Sequence, residues 1–399
     1  MTQIDASPMR GSAERWTGRA PPIHNGGMGR RLRSALALGA LIVAAPAVEG
    51  LEEFPLPTRG SRPLGIAAGP DGALWFAEYS ANRIGRLTVD GRLSEFELPT
   101  AAAQPIGVTA GPDGAMWFAE FAAGQIGRID GSGAITEYPL PDRGAEPFFI
   151  VTGADGALWF TEHDANAIGR LTTDGELREF AIPTPDSGPI GIAVGPDDAI
   201  WFTEFFAGRI GRLDGDGAIT EFVIPTGDSG PRDIVAGADG NLWFSEELGD
   251  AIGRLTPGGV FTEFRLPPDR HARHLVAGPD GALWFTAFAG DRIGRMSTAG
   301  TLREIGGLRP GSRPLDIAVG ADGRLWFTQA DGNRIGALAP PPCAGDCDDS
   351  AVVTVDELVR AVRVVLGEPV ACAAADVDLD GQVAIDDLIG AVRAALDGC

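Results

Sequence analysis

Two sets of residues have the types and spacing for chemistry. In Asp376-Val377-Asp378-Leu379-Asp380-Gly381-Gln382-Val383-Ala384-Ile385-Asp386-Asp387, carboxylates stand at loop positions 1, 3, 5 and 12, with glycine at position 6. A calcium ion takes roughly six to eight hard oxygen donors, and this spacing wraps a loop around one. The expected donors are Asp376, Asp378, Asp380, Gln382 and Asp387, with Gly381 allowing the sharp bend. Thirty residues earlier, Asp346, Asp348, Ser350, Val352 and Glu357 repeat the pattern more weakly, because Ser350 replaces a carboxylate and Ala351 replaces the glycine.

The second set is Arg232, Asp233, His271, Arg273, His274, Arg313 and Asp316. Arginines placed together suit a carboxylate or phosphate, and an imidazole near neutral pKa suits proton transfer. The cluster therefore reads as a ligand site (Arg232, Asp233, Arg273, Arg313 and Asp316) with His271 and His274 as candidate bases. The alternative is a rim in which Asp233 and Asp316 neutralise the arginines.

These residues gain meaning from a repeat. Tryptophans at Trp75, Trp117, Trp159, Trp201, Trp243, Trp284 and Trp326 are spaced by 42 residues, with a single spacing of 41 before Trp284. A period of this size signals a propeller or solenoid. Within one unit Ile66 to Ala68, Leu74 to Ala77, Ile84 to Leu87 and Leu93 to Leu98 are short apolar or alternating runs. Gly69-Pro70-Asp71-Gly72 and Val89-Asp90-Gly91 separate them as hairpin turns. None of the units sustains apolar residues at 3.6 spacing over ten residues, so helical repeats are excluded. Four strands per unit make a propeller blade.

The Glu-Phe strand or its variant follows units one to six but is missing after Ile335-Gly336-Ala337. Its counterpart, Leu51-Glu52-Glu53-Phe54-Pro55, precedes the first unit, so the two ends are expected to share blade seven and close the ring. Propellers usually bind ligands at the channel mouth, and the family resemblance given below implies that the cluster lies there, at the start of the innermost strands. In the units with the cluster, the residue lost from the 41-residue spacing opens the prospect of a one-residue slip in the strand carrying His274.

Residues 28–47 read as a secretory signal: Arg30, Arg31 and Arg33 precede the apolar run Ala35 to Ala45, and Ala45-Pro46-Ala47 is a small-residue cleavage site. Residues 1–27 read as a mis-called start or an extension. The apolar run is too short for a membrane span, so the protein is expected outside the cytoplasm: secreted, periplasmic or at the cell surface. The net charge is −23, and residues 1–47 hold six arginines against two acids, so the mature chain is more acidic still. Nucleic acid and anionic lipid are thereby poor partners.

All four cysteines, Cys343, Cys347, Cys372 and Cys399, follow the linker Ala339-Pro340-Pro341-Pro342. In an exported chain they imply two disulfides, with three pairings open. Each acidic loop runs into an amphipathic stretch: Leu358, Ala361, Val362, Val365 and Leu366, then Leu388, Ile389, Val392, Ala395 and Leu396. This loop-helix, loop-helix order over residues 340–399 resembles the dockerin type of EF-hand-like calcium domain. The resemblance implies a cohesin-like partner and an anchoring role; the alternative is a calcium-stapled cap.

The ring has its own resemblance. Gly111-Pro112-Asp113-Gly114 with Met116-Trp117-Phe118-Ala119-Glu120, Asn166-Ala167-Ile168-Gly169-Arg170, and Thr220-Glu221-Phe222 with Ile224-Pro225-Thr226 are similar to the virginiamycin B lyases. That family implies a seven-bladed propeller that linearises streptogramin B depsipeptides by elimination at the ester, with magnesium and a histidine base. Its histidines directly follow a proline in two consecutive blades, and a glutamate precedes the second proline. Those positions fall here on Arg232, Arg273 and His271. Arginine stays protonated and cannot act as a base near neutral pH.

The expectation is an all-β, seven-bladed propeller over residues 48–339 followed by a small α-helical calcium domain. Its preferred role is noncatalytic binding of a small or peptide-like ligand; the alternative is a magnesium-dependent carbon–oxygen lyase using His271 or His274. Glu78, Glu120, Glu162, Glu204 and Glu246 are expected to pair across strands with Arg86, Arg128, Arg170, Arg212 and Arg254. His163 is expected in an exposed loop.

Overall fold

A computed structural model describes residues 50–339. The expected leader segment, both acidic loops, the amphipathic stretches after them and the four cysteines lie outside the described residues. The described chain forms 28 strands, β1 to β28, in seven four-stranded antiparallel sheets. Blade one is β2 (Pro63–Ala68), β3 (Leu74–Glu78), β4 (Arg83–Leu87) and β5 (Leu93–Glu97), running from the channel outward.

Closure follows the expected plan. β1 (Leu51–Pro55) pairs with β28 (Arg334–Leu338) as the outer strand of blade seven, Phe54 opposite Ile335. Phe54 stacks on Trp326 at 5.3 Å, as Phe96 of blade one stacks on Trp75 at 5.7 Å. The amino-terminal strand thus restores the aromatic pair that the last repeat lacks. Seven core clusters fill the spaces around the ring, each drawing on adjacent blades; Ala77 and Trp75 of blade one pack with Phe118 and Met116 of blade two.

Turn chemistry fixes each tryptophan. Asp71 accepts from Trp75 Nε1 at 3.1 Å through one oxygen and from Arg86 Nε at 2.7 Å through the other. The Arg86 guanidinium in turn lies over the Trp75 ring, 5.7 Å from its centroid. Gly85 is required by close approach, because a Cβ there would enter the Phe76 ring on the next strand.

This corrects the expected Glu–Arg pairs. Arg86, Arg128, Arg170 and Arg212 bind Asp71, Asp113, Asp155 and Asp197, each at 2.7 Å. The register is the reason: Arg86 stands opposite Trp75, whereas Glu78 is at the far end of β3, opposite Arg83.

Candidate functional site: the channel mouth

Each innermost strand begins with the same irregularity. Pairing with the second strand holds at the first residue (Pro63 with Glu78), skips two residues, and resumes at the fourth (Ile66 with Phe76). The two skipped residues turn toward the channel and the neighbouring blade. Blade five supplies Arg232 and Asp233 from β18 (Pro231–Ala236), blade six Arg273 and His274 from β22 (Ala272–Ala277), and blade seven Leu315 and Asp316 from β26 (Pro314–Val319).

The shortened unit does not slip. Ala272 pairs with Ala287 and Leu275 with Phe285, matching Pro231 with Glu246 and Ile234 with Phe244. The missing residue is absorbed in the turn before β22, where Asp269 and His271 adopt φ of 60° and 48°. His271 is half-buried there, its amide donating to Asp250 Oδ1 at 2.9 Å.

Five hydroxyls stitch the inner strands together. Thr203 accepts from the Gly191 amide at 2.8 Å and donates to the Arg232 carbonyl of the next blade at 3.1 Å. Ser245 donates likewise to the Arg273 carbonyl, and Thr286 to that of Leu315. Where the second skipped residue is glycine, adjacent strands close in; a Cβ on Gly191 would lie 2.6 Å from the Arg232 carbonyl oxygen.

Blades five to seven place side chains there instead. Asp233 accepts from the Leu275 amide at 2.8 Å, and Asp316 from the amides of Ile66 and Ile317, each at 2.8 Å. Between them lies His274, 2% exposed, with Nδ1 at 3.4 Å from Asp233 and 3.5 Å from Asp316. Its Nε2 is buried without a hydrogen-bond partner, and the ring meets Phe149, from across the channel, edge-on at 4.7 Å. Burial raises the Asp316 carboxyl to about 6; His274 opposes this, Asp233 adds to it, and the two amides oppose it.

The arginines have a different partner. Glu247, not singled out in the sequence, accepts from Arg232 Nη1 at 3.0 Å and from Arg273 at 2.9 and 2.6 Å. Burial alone would raise this carboxyl, but Arg232 and Arg273 outweigh it and hold it below the ordinary range. Arg273 is itself pushed down to about 10 by burial and by Arg232, against the pull of Glu247. Arg313 pairs with Asp331 at 3.0 Å. Asp233 and Asp316 therefore serve His274 and backbone amides, not the arginines. A signal for Glu247 exists in the sequence: it stands in a column otherwise occupied by Tyr79, Phe121, His163, Phe205, Phe288 and Ala330.

Aromatic rings continue the arginine pair into a belt. Arg273 lies 3.6 Å from the Phe288 centroid, and Arg313 5.4 Å from the same ring. On the other side Arg232 lies over Phe148, which contacts Phe121 and His163. His163 is half-buried rather than exposed: it packs on Phe206 and meets the Pro189 carbonyl at 3.2 Å. Burial keeps its pKa below the usual imidazole value. Phe206 and Leu248 remain largely open to solvent, at 68% and 58% exposure.

The sequence profile of the virginiamycin B lyase family matches residues 36–274 and 226–348. The chain belongs to this family. A streptogramin B lyase structure is 38% identical, covering 72% of this chain and 96% of that one with a TM-score of 0.70. A virginiamycin B lyase from Staphylococcus aureus is 39% identical, covering 73% and 99%, also with a TM-score of 0.70. A catalytically inactive histidine-to-alanine form of the Staphylococcus aureus lyase, determined with quinupristin, matches to the same extent.

The mouth does not fit the magnesium that the family resemblance implies. Arg232 and Arg273 are cations, and Glu247 is already bound to both. Among the described residues, no group of three or more His, Cys, Asp and Glu side chains is arranged to hold a metal ion. No helix of the described residues is long and apolar enough to cross a membrane.

Proposed function

We propose that the ring is a binding module for a small or peptide-like ligand carrying aromatic groups and a carboxylate. The observation that carries this reading is the convergence of Arg232 and Arg273 on the single acid Glu247, beneath a belt containing Phe148, Phe206 and Phe288. Two guanidiniums on one carboxylate leave a surplus positive charge in a partly dry setting, where it acts most strongly on an anion. Aromatic faces beside it supply apolar area. Isothermal titration of the full chain with aromatic N-acyl dipeptides ending in a carboxylate, or in the matching amide, tests this. The acid binds at least tenfold more tightly, and Arg273→Gln removes the preference; equal binding of acid and amide overturns the reading.

His274 favours a second reading, a carbon–oxygen lyase. With Asp233 and Asp316 facing Nδ1, a proton is held there and the Nε2 lone pair is left as acceptor. Such a base would take the proton from the carbon next to the one bearing the ester oxygen, as the alkyl carbon–oxygen bond breaks to give an alkene and a leaving carboxylate. Incubation with quinupristin, with and without magnesium, followed by chromatography and mass spectrometry, separates the readings. A linear isomer formed rapidly and abolished by His274→Ala establishes the lyase.

The sequence outside residues 50–339 supports an exported protein carrying calcium-binding loops, with donors Asp376, Asp378, Asp380, Gln382 and Asp387 and the weaker set Asp346, Asp348, Ser350, Val352 and Glu357. In this reading the dockerin-like tail anchors the ring to a cohesin-like partner.

A further inference from the structure

Five blades end their second strand in a glutamate: Glu78, Glu120, Glu162, Glu204 and Glu246. None is more than 1% exposed. Neither carboxyl oxygen of Glu246 meets a donor; Glu78 and Glu204 have only the Ser61 and Ser187 hydroxyls near them, neither closing a well-aligned hydrogen bond; Glu120 accepts from Gln125, and Glu162 has one oxygen without a partner. What each faces is a second acid on the outer strand of its own blade: Glu95, Glu137, Glu179, Glu221 and Glu263 respectively.

Four of the five outer acids, all but Glu179, are well supplied with donors. Glu95 accepts from the Thr58 hydroxyl at 2.6 Å and from Arg83 at 2.8 Å. Glu221 accepts from the Thr184 amide and hydroxyl, both at 3.0 Å, and from Arg209 at 3.1 Å. Glu137 and Glu263 are held by Thr100 and Thr226 in the same way. A second ionised carboxylate in dry contact with each would be strongly disfavoured.

The two remaining blades avoid the conflict. In blade seven Gln329 stands in the place of the inner glutamate, and its Nε2 donates to Glu53 Oε1 at 3.1 Å. An amide N–H directed at a carboxylate copies the geometry of a protonated acid doing the same. In blade six the inner position is Ala287, and Glu304 is bound by Arg270.

We propose that the five inner glutamates are neutral carboxylic acids in the folded ring, each sharing its proton with the neighbouring outer glutamate, so that the propeller is an acid-stabilised fold. Other charged neighbours do not cancel the conflict. Arg83 and Arg209 are engaged by Glu95 and Glu221; Arg143 lies near Glu120 and Arg265 near Glu246; Glu162 has the further acid Asp142. Burial, joined by the neighbouring acid, raises Glu78 to about 7 and the other four to about 8. The unfolded chain releases these protons in the ordinary carboxylate range, whereas the folded ring keeps them to near neutrality. Between those limits the folded state binds more protons, so stability falls as pH rises.

Thermal unfolding of the full chain at fixed salt and calcium, from about pH 5 to about pH 8.5, reads this directly. The melting temperature falls across that range; a flat or rising profile overturns the proposal. Glu204→Gln with Glu246→Gln, which reproduce the Gln329 arrangement, lose part of the fall and melt higher than wild type at the alkaline end. An undiminished fall overturns it too. Infrared spectra of the wild-type protein in heavy water stand apart from any variant: a protonated-carboxyl carbonyl band persists at about pH 6, where exposed glutamates have lost it. Its absence there refutes the shared protons.

Discussion

Arg273 binds Glu247 through two of its nitrogens, at 2.9 and 2.6 Å from the same carboxyl oxygen, and spreads its guanidinium over Phe288. Arg232 takes the other oxygen of Glu247. The mouth of this propeller is thus organised around one buried acid.

Glu247→Gln is expected to cost about 3 kcal/mol of stability, because two buried guanidiniums lose their counter-charge. Denaturant unfolding near neutral pH measures it. The Glu247 carboxyl is held below its ordinary range, so its contribution is present above the unfolded carboxylate pKa and is lost as pH falls through the folded one. The gap between wild type and variant therefore narrows in acid.

Gly191→Ala is expected to destabilise by about 1–3 kcal/mol, since its Cβ would press on the Arg232 carbonyl and the Asp233 backbone. Gly215→Ala, with open space around it, serves as the control and leaves the melting temperature nearly unchanged.

Thr203→Val keeps the shape but removes the hydroxyl that joins Gly191 to the next blade. A loss of about 1–2 kcal/mol is expected by equilibrium unfolding. The same change at Ala77 or Ala119 has no hydroxyl to remove, and those positions mark where the stitching is absent.

Phe54→Ala is expected to cost about 3 kcal/mol, the scale for truncating a packed aromatic ring. It removes the ring that stacks on Trp326, and with it part of the bond between the two ends of the described chain. Faster unfolding, followed by tryptophan fluorescence, is the readout.

Chelation of calcium is expected to remove a stabilised transition from the full chain, and Asp376→Ala to abolish the response to added calcium. Differential scanning calorimetry with and without a chelator checks this; a calcium-independent profile counts against the proposed loops.

Much of the ring was legible because its signals are local. The Pro-Asp-Gly turns, the Trp-Phe strands and the displaced Glu-Phe strand at Leu51 each depend on a few neighbouring residues, and β1 pairs with β28 as that displacement implies. The partners of the charged residues are not local. The expected pairing of Glu78 with Arg86 is absent: Arg86 binds Asp71, because the strand register carries that arginine to the turn end of the blade. The alternative in which Asp233 and Asp316 neutralise the arginines fails, because they face His274.

By itself, then, the sequence determined the number of blades, their strand order and the way the ring closes, since repeats with strong turns admit few topologies. Only the tertiary structure decided which ions meet. Arg232 and Arg273 come from two different strands and Glu247 from the turn that follows a third, and Glu78 is fully buried in the folded ring. Coulomb and desolvation energies depend on distances and burial between such elements, and a linear pattern of residues does not contain them.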